Sequence, residues 1–410
     1  MIRPTLDSAK LHRLSRRRFL GRAALLGCSA AASPLMTPVS LAAAPWDTRI
    51  VVIILRGAMD GLDALRPYGD PDFALIRPEQ MGERDKAPDL DGFSAMHPAL
   101  APLVPLWAGG ELGFVQAVAT PYRNKRSHFD GQDILEAGTP DLGMARDGWL
   151  NRMLQELPGI ETQTAYAVGQ GEMKVLLGPA EVAEWTPNAA LRLSPQALRL
   201  AELIMEQDPA FHAAMSEAVA LSDEGEGILA PDTPLEKEMG QSLQGAQHVK
   251  IAEFVGNRLR EDTRVAAFSM IGWDTHGKQA RNLTRSLSRF AETLISLRDT
   301  CGPDVWSRTA VVAMTEFGRT VRLNGTEGTD HGTGGTMVLA GGAIRGGRVL
   351  GTWPGLSEAD LFKRRDLTPT SDVRAPAAWI LRAATGLDRT TLEQVVFPGL
   401  DMGRDPGVIL

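Results

Sequence analysis

Between Thr309 and Gly335 the chain reads TAVVAMTEFGRTVRLNGTEGTDHGTGG. A short apolar run of the kind that makes a strand buried on both faces is followed at once by Glu316 and Arg319. A glycine-rich loop then carries Asp330 and His331. Three further stretches repeat the arrangement: Asp60 follows the apolar run 50–55, Ser127 and His128 follow 113–119, and Asp274 and His276 follow 264–271. In an open parallel sheet the loops at the carboxyl ends of the strands converge on one rim. Carboxylates and imidazoles gathered there suit a divalent cation such as Zn²⁺, Mn²⁺ or Mg²⁺. Asp60, Asp274, His276, Glu316, Asp330 and His331 are the candidate ligands, for one ion or two. A pair of ions could clamp the attacking and leaving oxygens of an in-line displacement at phosphorus or sulfur. Ser127, beside Arg123, Lys125 and Arg126, stands where a hydroxyl at a helix start would meet an anion. Both Asp60 and Ser127 also have a plainer explanation, as caps of the helices that follow them.

Those groups need a sheet to hold them. Residues 50–55, 113–119, 166–169, 264–271, 310–314 and 336–340 read as strands. Helices are expected over 98–107, to about 137, 147–157, 283–299 and 371–385. Strands alternating with helices predict an α/β fold, a mostly parallel sheet sandwiched by helices. Residues 66–95 read as a long loop, and about 180–262 as a helical insertion. Neither a P-loop nor a GxGxxG is present, which leaves nucleotide binding by those modes unsupported.

Residues 1–44 differ from the rest. Ser15-Arg16-Arg17-Arg18-Phe19-Leu20, a mild apolar segment and Ser40-Leu41-Ala42-Ala43-Ala44 form a twin-arginine signal peptide, with residues 45–410 as the mature α/β domain. Export through the twin-arginine translocation machinery to the periplasm or the exterior is the expectation. Leu25-Leu26-Gly27-Cys28 loosely resembles a lipoprotein box, although Arg22 breaks the apolar run before it. Cleavage would leave 36 basic residues against 49 acidic ones, a net charge of −13 in place of −7. So acidic a protein is a poor coat for nucleic acid. No mature stretch has the roughly 18 apolar residues that span a bilayer. Cys301 would be the only mature cysteine, so no intrachain disulfide forms and packing must hold the fold.

The runs R-G-A-M-D-G-L-D, Y-R-N-K-R-S-H-F-D-G-Q-D, G-W-D-T-H, T-E-F-G-R-T and G-T-D-H-G, in that order behind a twin-arginine signal, resemble the DUF1501 family. The resemblance runs from about Arg49 to Gly399. It implies kinship with the alkaline phosphatase/sulfatase superfamily, whose members share a parallel sheet, a nucleophile at a helix start and one or two metals. Carried over by motif, Asp60 resembles the first-strand metal ligand and Ser127 the nucleophile. Asp274 with His276 resembles the Asp-and-His pair of one metal site, and His331 the late histidine. Glu316 stands where Asp-His is usual, and Phe317 replaces the histidine. The Asp-x-His spacing is also tighter than usual, so one metal site is altered, holds a single ion, or is lost. The Cys-x-Pro-x-Arg nucleophile motif of sulfatases is absent.

The expectation is therefore an exported metal-dependent hydrolase acting on an anionic phosphate or sulfate ester. Ser127 would attack, His128 would serve as general acid, and Arg126 or Arg319 would balance charge on the transferring group. The rival expectation is a periplasmic binding or assembly protein that keeps the fold without turnover, which Phe317 and Asp-x-His favour.

Overall fold

The computed structural model describes residues 46–123, 126–169, 172–187 and 247–410. All of them lie in one compact unit, Ala43–Leu410. The expected signal peptide and residues 188–246 of the expected insertion lie outside the described residues.

Strand β1, Arg49–Arg56, is the axis of the molecule. Its run of β-branched and aliphatic residues, Ile50 to Leu55, is buried at every position, as a strand covered on both faces requires. The other strands are β2 (Leu65–Arg66), β3 (Ala95–Met96), β4 (Leu112–Ala119), β5 (Ala165–Val168), β6 (Ala183–Trp185), β7 (Val265–Ile271), β8 (Thr309–Met314), β9 (Gly335–Ala340), β10 (Arg348–Leu350) and β11 (Ser371–Asp372). The main sheet runs β10-β4-β9-β8-β1-β7-β5-β6, with β11 extending alongside β4. β1 pairs in parallel with β7 on one side and β8 on the other; Val52 lies opposite Ala267 and Val312. Only β9 runs against its neighbours, pairing antiparallel with both β8 and β4. Two reversals restore the direction, so β1, β4, β7 and β8 all point their carboxyl ends to the same rim.

Alternation along β1 divides the core in two. Ile50, Val52 and Ile54 join Trp149 and Leu150 of helix α3 (Trp149–Gln155) and Ile380 and Leu381 of α6 (Arg374–Thr385). Val51, Ile53 and Leu55 face the other way, onto Val255 of α4 (Gln247–Leu259) and Leu287, Phe290 and Leu294 of α5 (Gln279–Trp306). A period of two in the strand meeting a period of 3.6 in the helices gives the three-layer sandwich.

Several boundaries moved. The stretch 66–95 is not a bare loop: it holds short helical turns at 73–76 and 78–81 and the antiparallel pair β2–β3. The described ends of the expected insertion belong to the main body. Residues 183–185 are the edge strand β6, and α4 lies along α5, where the Phe254 ring stacks on Trp185 at 4.0 Å. Helix α5 outruns its expected end and continues past a break at Gly302, whose φ of 69° is available to glycine and which Pro303 follows. Residues 371–372 are strand, so α6 starts three residues late. Cys301 is buried within α5, and burial pushes its thiol up to about 12. Among the described residues no helix is long and apolar enough to cross a membrane.

Leu294 is fully buried against β1. Leu294→Ala is expected to lower unfolding free energy by roughly 2–5 kcal/mol, read from urea denaturation.

Candidate metal centre

Four strands that end on one rim supply the site. After β8, Thr315 hydrogen-bonds back to the Leu55 carbonyl at 2.7 Å and sets Glu316 under the rim. Glu316 is completely buried. After β4 the chain reaches Ser127, whose side chain caps helix α2 (His128–Ala137), so His128 opens that helix facing Glu316. After β7, the Trp273 indole donates to the Met270 carbonyl at 3.0 Å and locks the turn that presents Asp274. The loop after β8 folds back as a narrow hairpin in which Arg319 bridges His331, bringing Asp330 and His331 over the rim. Gly57, after β1, has a φ of +122° and lies so near the Asp274 backbone that a Cβ would come within 2.6 Å of its nitrogen. Its free amide is then able to reach Glu316.

Three imidazoles are held the same way. His128 Nδ1 lies 2.7 Å from Glu316 Oε1. His331 Nδ1 lies 2.8 Å from the Arg126 carbonyl, and His276 Nδ1 lies 3.2 Å from Asp330 Oδ1. Each of these acceptors requires a proton on Nδ1, which in the neutral ring leaves the lone pair on Nε2. All three Nε2 atoms turn towards Asp274. His276 Nε2 is 3.1 Å from Asp274 Oδ1 and His331 Nε2 is 3.4 Å from the same oxygen. His128 Nε2 is 3.4 Å from Asp274 Oδ2. That last contact does not make a hydrogen bond, and His128 Nε2 is a buried nitrogen without a hydrogen-bond partner among the described residues. The Nε2 atoms of His276 and His331 face each other at 2.9 Å. Two lone pairs at that distance repel unless a proton or a cation sits between them. Ligand atoms of His128, Asp274 and His331 all lie within 4.8 Å of one another. An unpartnered buried nitrogen and opposed lone pairs are what a cation would relieve, so the residues fit a metal ion.

Electrostatics point the same way. The hydrogen bond to Glu316 raises the His128 pKa, outweighing burial. Burial pushes the Glu316 carboxyl up, but hydrogen bonds from His128, Gln132 and Thr315 hold it below the ordinary carboxylate value. Asp274 also stays ionised, because the Arg319 guanidinium overcomes partial burial. His331 is shifted down by burial.

The structure redistributes the roles expected from sequence. Asp274, His276 and His331 come together at the rim. His128, expected as a general acid, is instead a ligand candidate, since its Nδ1 is tied to Glu316. Glu316 is taken up by internal partners: Oε1 accepts from Gly57 N, His128 Nδ1 and Gln132 Nε2, and the Thr315 hydroxyl lies 2.9 Å from Oε2. It orients His128. Asp330 plays the corresponding part for His276, with Asn324 donating to the same oxygen at 3.1 Å. Asp60 lies outside the cluster. Its oxygens take the Leu62 and Asp63 amides, Arg77 Nη2 at 2.9 Å and Gln279 Nε2 at 2.6 Å, so capping and ion pairing consume its lone pairs. Ser127 Oγ accepts the Asp130 amide at 3.3 Å; no hydrogen bond links it to the three imidazoles among the described residues. Arg319 is wholly buried behind Asp274, to which Nη1 donates at 2.9 Å, and it does not face an incoming ester. Arg126 is exposed and contributes its carbonyl to His331.

Sequence reasoning missed Gln132, Gln279 and Arg77, all polar residues inside or just after elements, where spacing carries no signal. Phe317 is buried and its ring lies 5.2 Å from those of both His128 and His331. It walls the centre on that side.

A three-layer α/β domain with a carboxylate–imidazole cluster at the carboxyl rim of its sheet is the class defined by these observations. A family profile for "Protein of unknown function (DUF1501)" matches residues 115–392, and the chain belongs to that family. No curated protein sequence matches the chain. Among solved structures it is similar to a protein in the alkaline phosphatase superfamily from Vibrio parahaemolyticus, with 10% identity and a TM-score of 0.36 over 91% of this chain and 76% of that one. It is also similar to the lipoteichoic acid synthase LtaP from Listeria monocytogenes (9% identity, TM-score 0.39, 90% and 78%). The C-terminal periplasmic domain of EcEptC from Escherichia coli is a third (11%, 0.37, 88% and 92%).

In metal-free protein, histidine NMR should show His128 titrating above, and His331 below, the ordinary value near 6.5. His128 therefore adds stability that is complete below about pH 6.5 and fades as pH rises through its raised folded value. Glu316→Gln should return His128 towards the ordinary value. If His128 and His331 titrate together, the arrangement is wrong.

Proposed function

We propose that the chain is an exported, metal-dependent hydrolase of phosphate or sulfate esters. The observation that carries this reading is the convergence of three Nε2 lone pairs on Asp274. His128, His331 and Asp274 would hold the ion with His276 alongside, a nitrogen-rich set that favours Zn²⁺ over the more oxygen-seeking Mn²⁺ and Mg²⁺. A divalent ion bound there would supply Lewis-acid polarisation of the ester oxygen.

The chain's own residues would do the rest. Ser127 caps a ten-residue helix, and its hydroxyl accepts the Asp130 amide without donating a hydrogen bond among the described residues. That helix start favours the anionic group of an ester, with the exposed Arg126 beside it. Glu316 and Asp330 would keep two imidazoles in the ligating tautomer, and Arg319 would keep Asp274 ionised and in place. The twin-arginine segment supports export, a route compatible with a protein that folds around its ion before crossing.

A second reading, a binding or assembly protein without turnover, is favoured by the capping bond at Ser127 and by the loss of Asp60 and Glu316 to internal partners. Purified protein is expected to contain stoichiometric Zn²⁺, lost in Asp274→Asn and His331→Ala. On a panel of phosphate and sulfate esters, Ser127→Ala should keep the ion and lose about 10³-fold in rate or more. An ion present with no hydrolysis anywhere on the panel selects the binding reading. Absence of metal, with thermal stability indifferent to chelators, defeats the proposal.

A further inference from the structure

Beneath the centre lies a second buried polar network that the proposed reaction does not use. Asp60 and Asp63 are paired there with Arg77 and Arg66: Arg77 Nη2 lies 2.9 Å from Asp60 Oδ2, and Arg66 Nη2 lies 2.7 Å from Asp63 Oδ1. All four residues are at most 2% exposed. The two buried carboxylates meet two buried guanidiniums, and the part-exposed Glu83 also pairs with Arg66 at 2.9 Å, so no positive ion is needed to pair with Asp60 or Asp63. Gln279 ties it to the rim. Its Nε2 donates to both Asp60 and Asp63, and its Oε1 accepts the hydroxyls of Thr275 at 3.0 Å and Thr329 at 2.7 Å. Thr329 Oγ1 accepts from Arg319 Nε at 3.1 Å, and Arg319 Nη1 donates to Asp274 Oδ1 at 2.9 Å. Protein donors thus bridge the whole way from Asp60 to Asp274.

A second metal ion shared between those carboxylates would have to displace these donors. Arg77 Nη1 and Arg319 Nη2 are each buried and without a hydrogen-bond partner among the described residues. Positive donors already short of acceptors make that space hostile to a further cation. Charge counting agrees. Asp274, Glu316 and Asp330 touch the three imidazoles, and Arg319 offsets one of their three charges. One divalent ion neutralises what is left; a second would leave the cluster positive.

We propose that the Arg319 guanidinium is the resident second cation of this centre. The chain then takes one divalent transition-metal ion, at His128, Asp274 and His331 with His276 alongside, and Asp60 takes none. The inference rests on the metal-binding reading above, but it concerns the number of ions and can fail separately. Metal-free protein would be titrated with Zn²⁺ by calorimetry and the product checked by elemental analysis. Wild type should saturate at one ion per chain. Asp60→Asn, whose side chain can still cap, and Arg319→Lys, which keeps the charge, should also saturate at one. The dissociation constant of Asp60→Asn should stay within about threefold of wild type. Two ions per wild-type chain would overturn the proposal, as would a tenfold or greater loosening in folded Asp60→Asn. The wild-type count decides the matter even if that variant does not fold. Zero ions would instead overturn the metal-binding reading itself.

Discussion

The buried carboxylate of Glu316 is the constraint on which the rim of this protein depends. A wholly desolvated carboxylate must be saturated with donors, and leaving it otherwise would cost several kcal/mol. Its donors come from three parts of the chain: Gly57 after β1, His128 and Gln132 on α2, and Thr315 beside it. The Glu316 carbonyl in turn accepts the Thr120 hydroxyl at the end of β4. One side chain therefore fastens β1, β4, β8 and α2 together at the place where the chemistry sits. Because His128 can satisfy Glu316 only through Nδ1, the same bond fixes which nitrogen of that ring faces Asp274.

Outward from this bond the structure separates two kinds of buried charge. Around Asp60 and Asp63 every carboxylate has a guanidinium, and the result is a closed network that holds helix α1 (Gly61–Ala64) against the start of α5. Around Asp274 the acids outnumber the guanidinium, the imidazoles present lone pairs, and the charge is left open. Gln279 and Thr329 stand between the two and transmit position without charge. Such an arrangement makes one region structural and the other receptive, although both are built from the same residue types.

Phe317 makes the division sharper. Its ring packs between Tyr122, His128 and His331 and closes the side of the cluster nearest α2. The tight approach of Gly131 to that ring, 3.0 Å for an added Cβ, shows why α2 carries a glycine one turn after His128. Apolar walls lower the local dielectric and strengthen each remaining charge interaction at the centre.

Strands and covering helices were legible in the sequence because their signals are local. Six consecutive aliphatic residues in β1, the apolar run 310–314 and the 3.6-residue spacing of Leu287, Phe290, Leu294 and Leu297 state burial and period directly. The topology that puts Asp274, Glu316 and His331 on one rim followed from parallel connection alone. What the sequence could not decide was the role of each acid. Asp60 and Asp274 look alike beside their glycines, as do Glu316 and any ligating carboxylate. Their fates depend on partners 17, 45 and 188 positions away in Arg77, Arg319 and His128. A carboxylate ligates or capitulates to an ion pair according to which donors the folded chain brings within 3 Å, and that distance exists only once the sheet has formed.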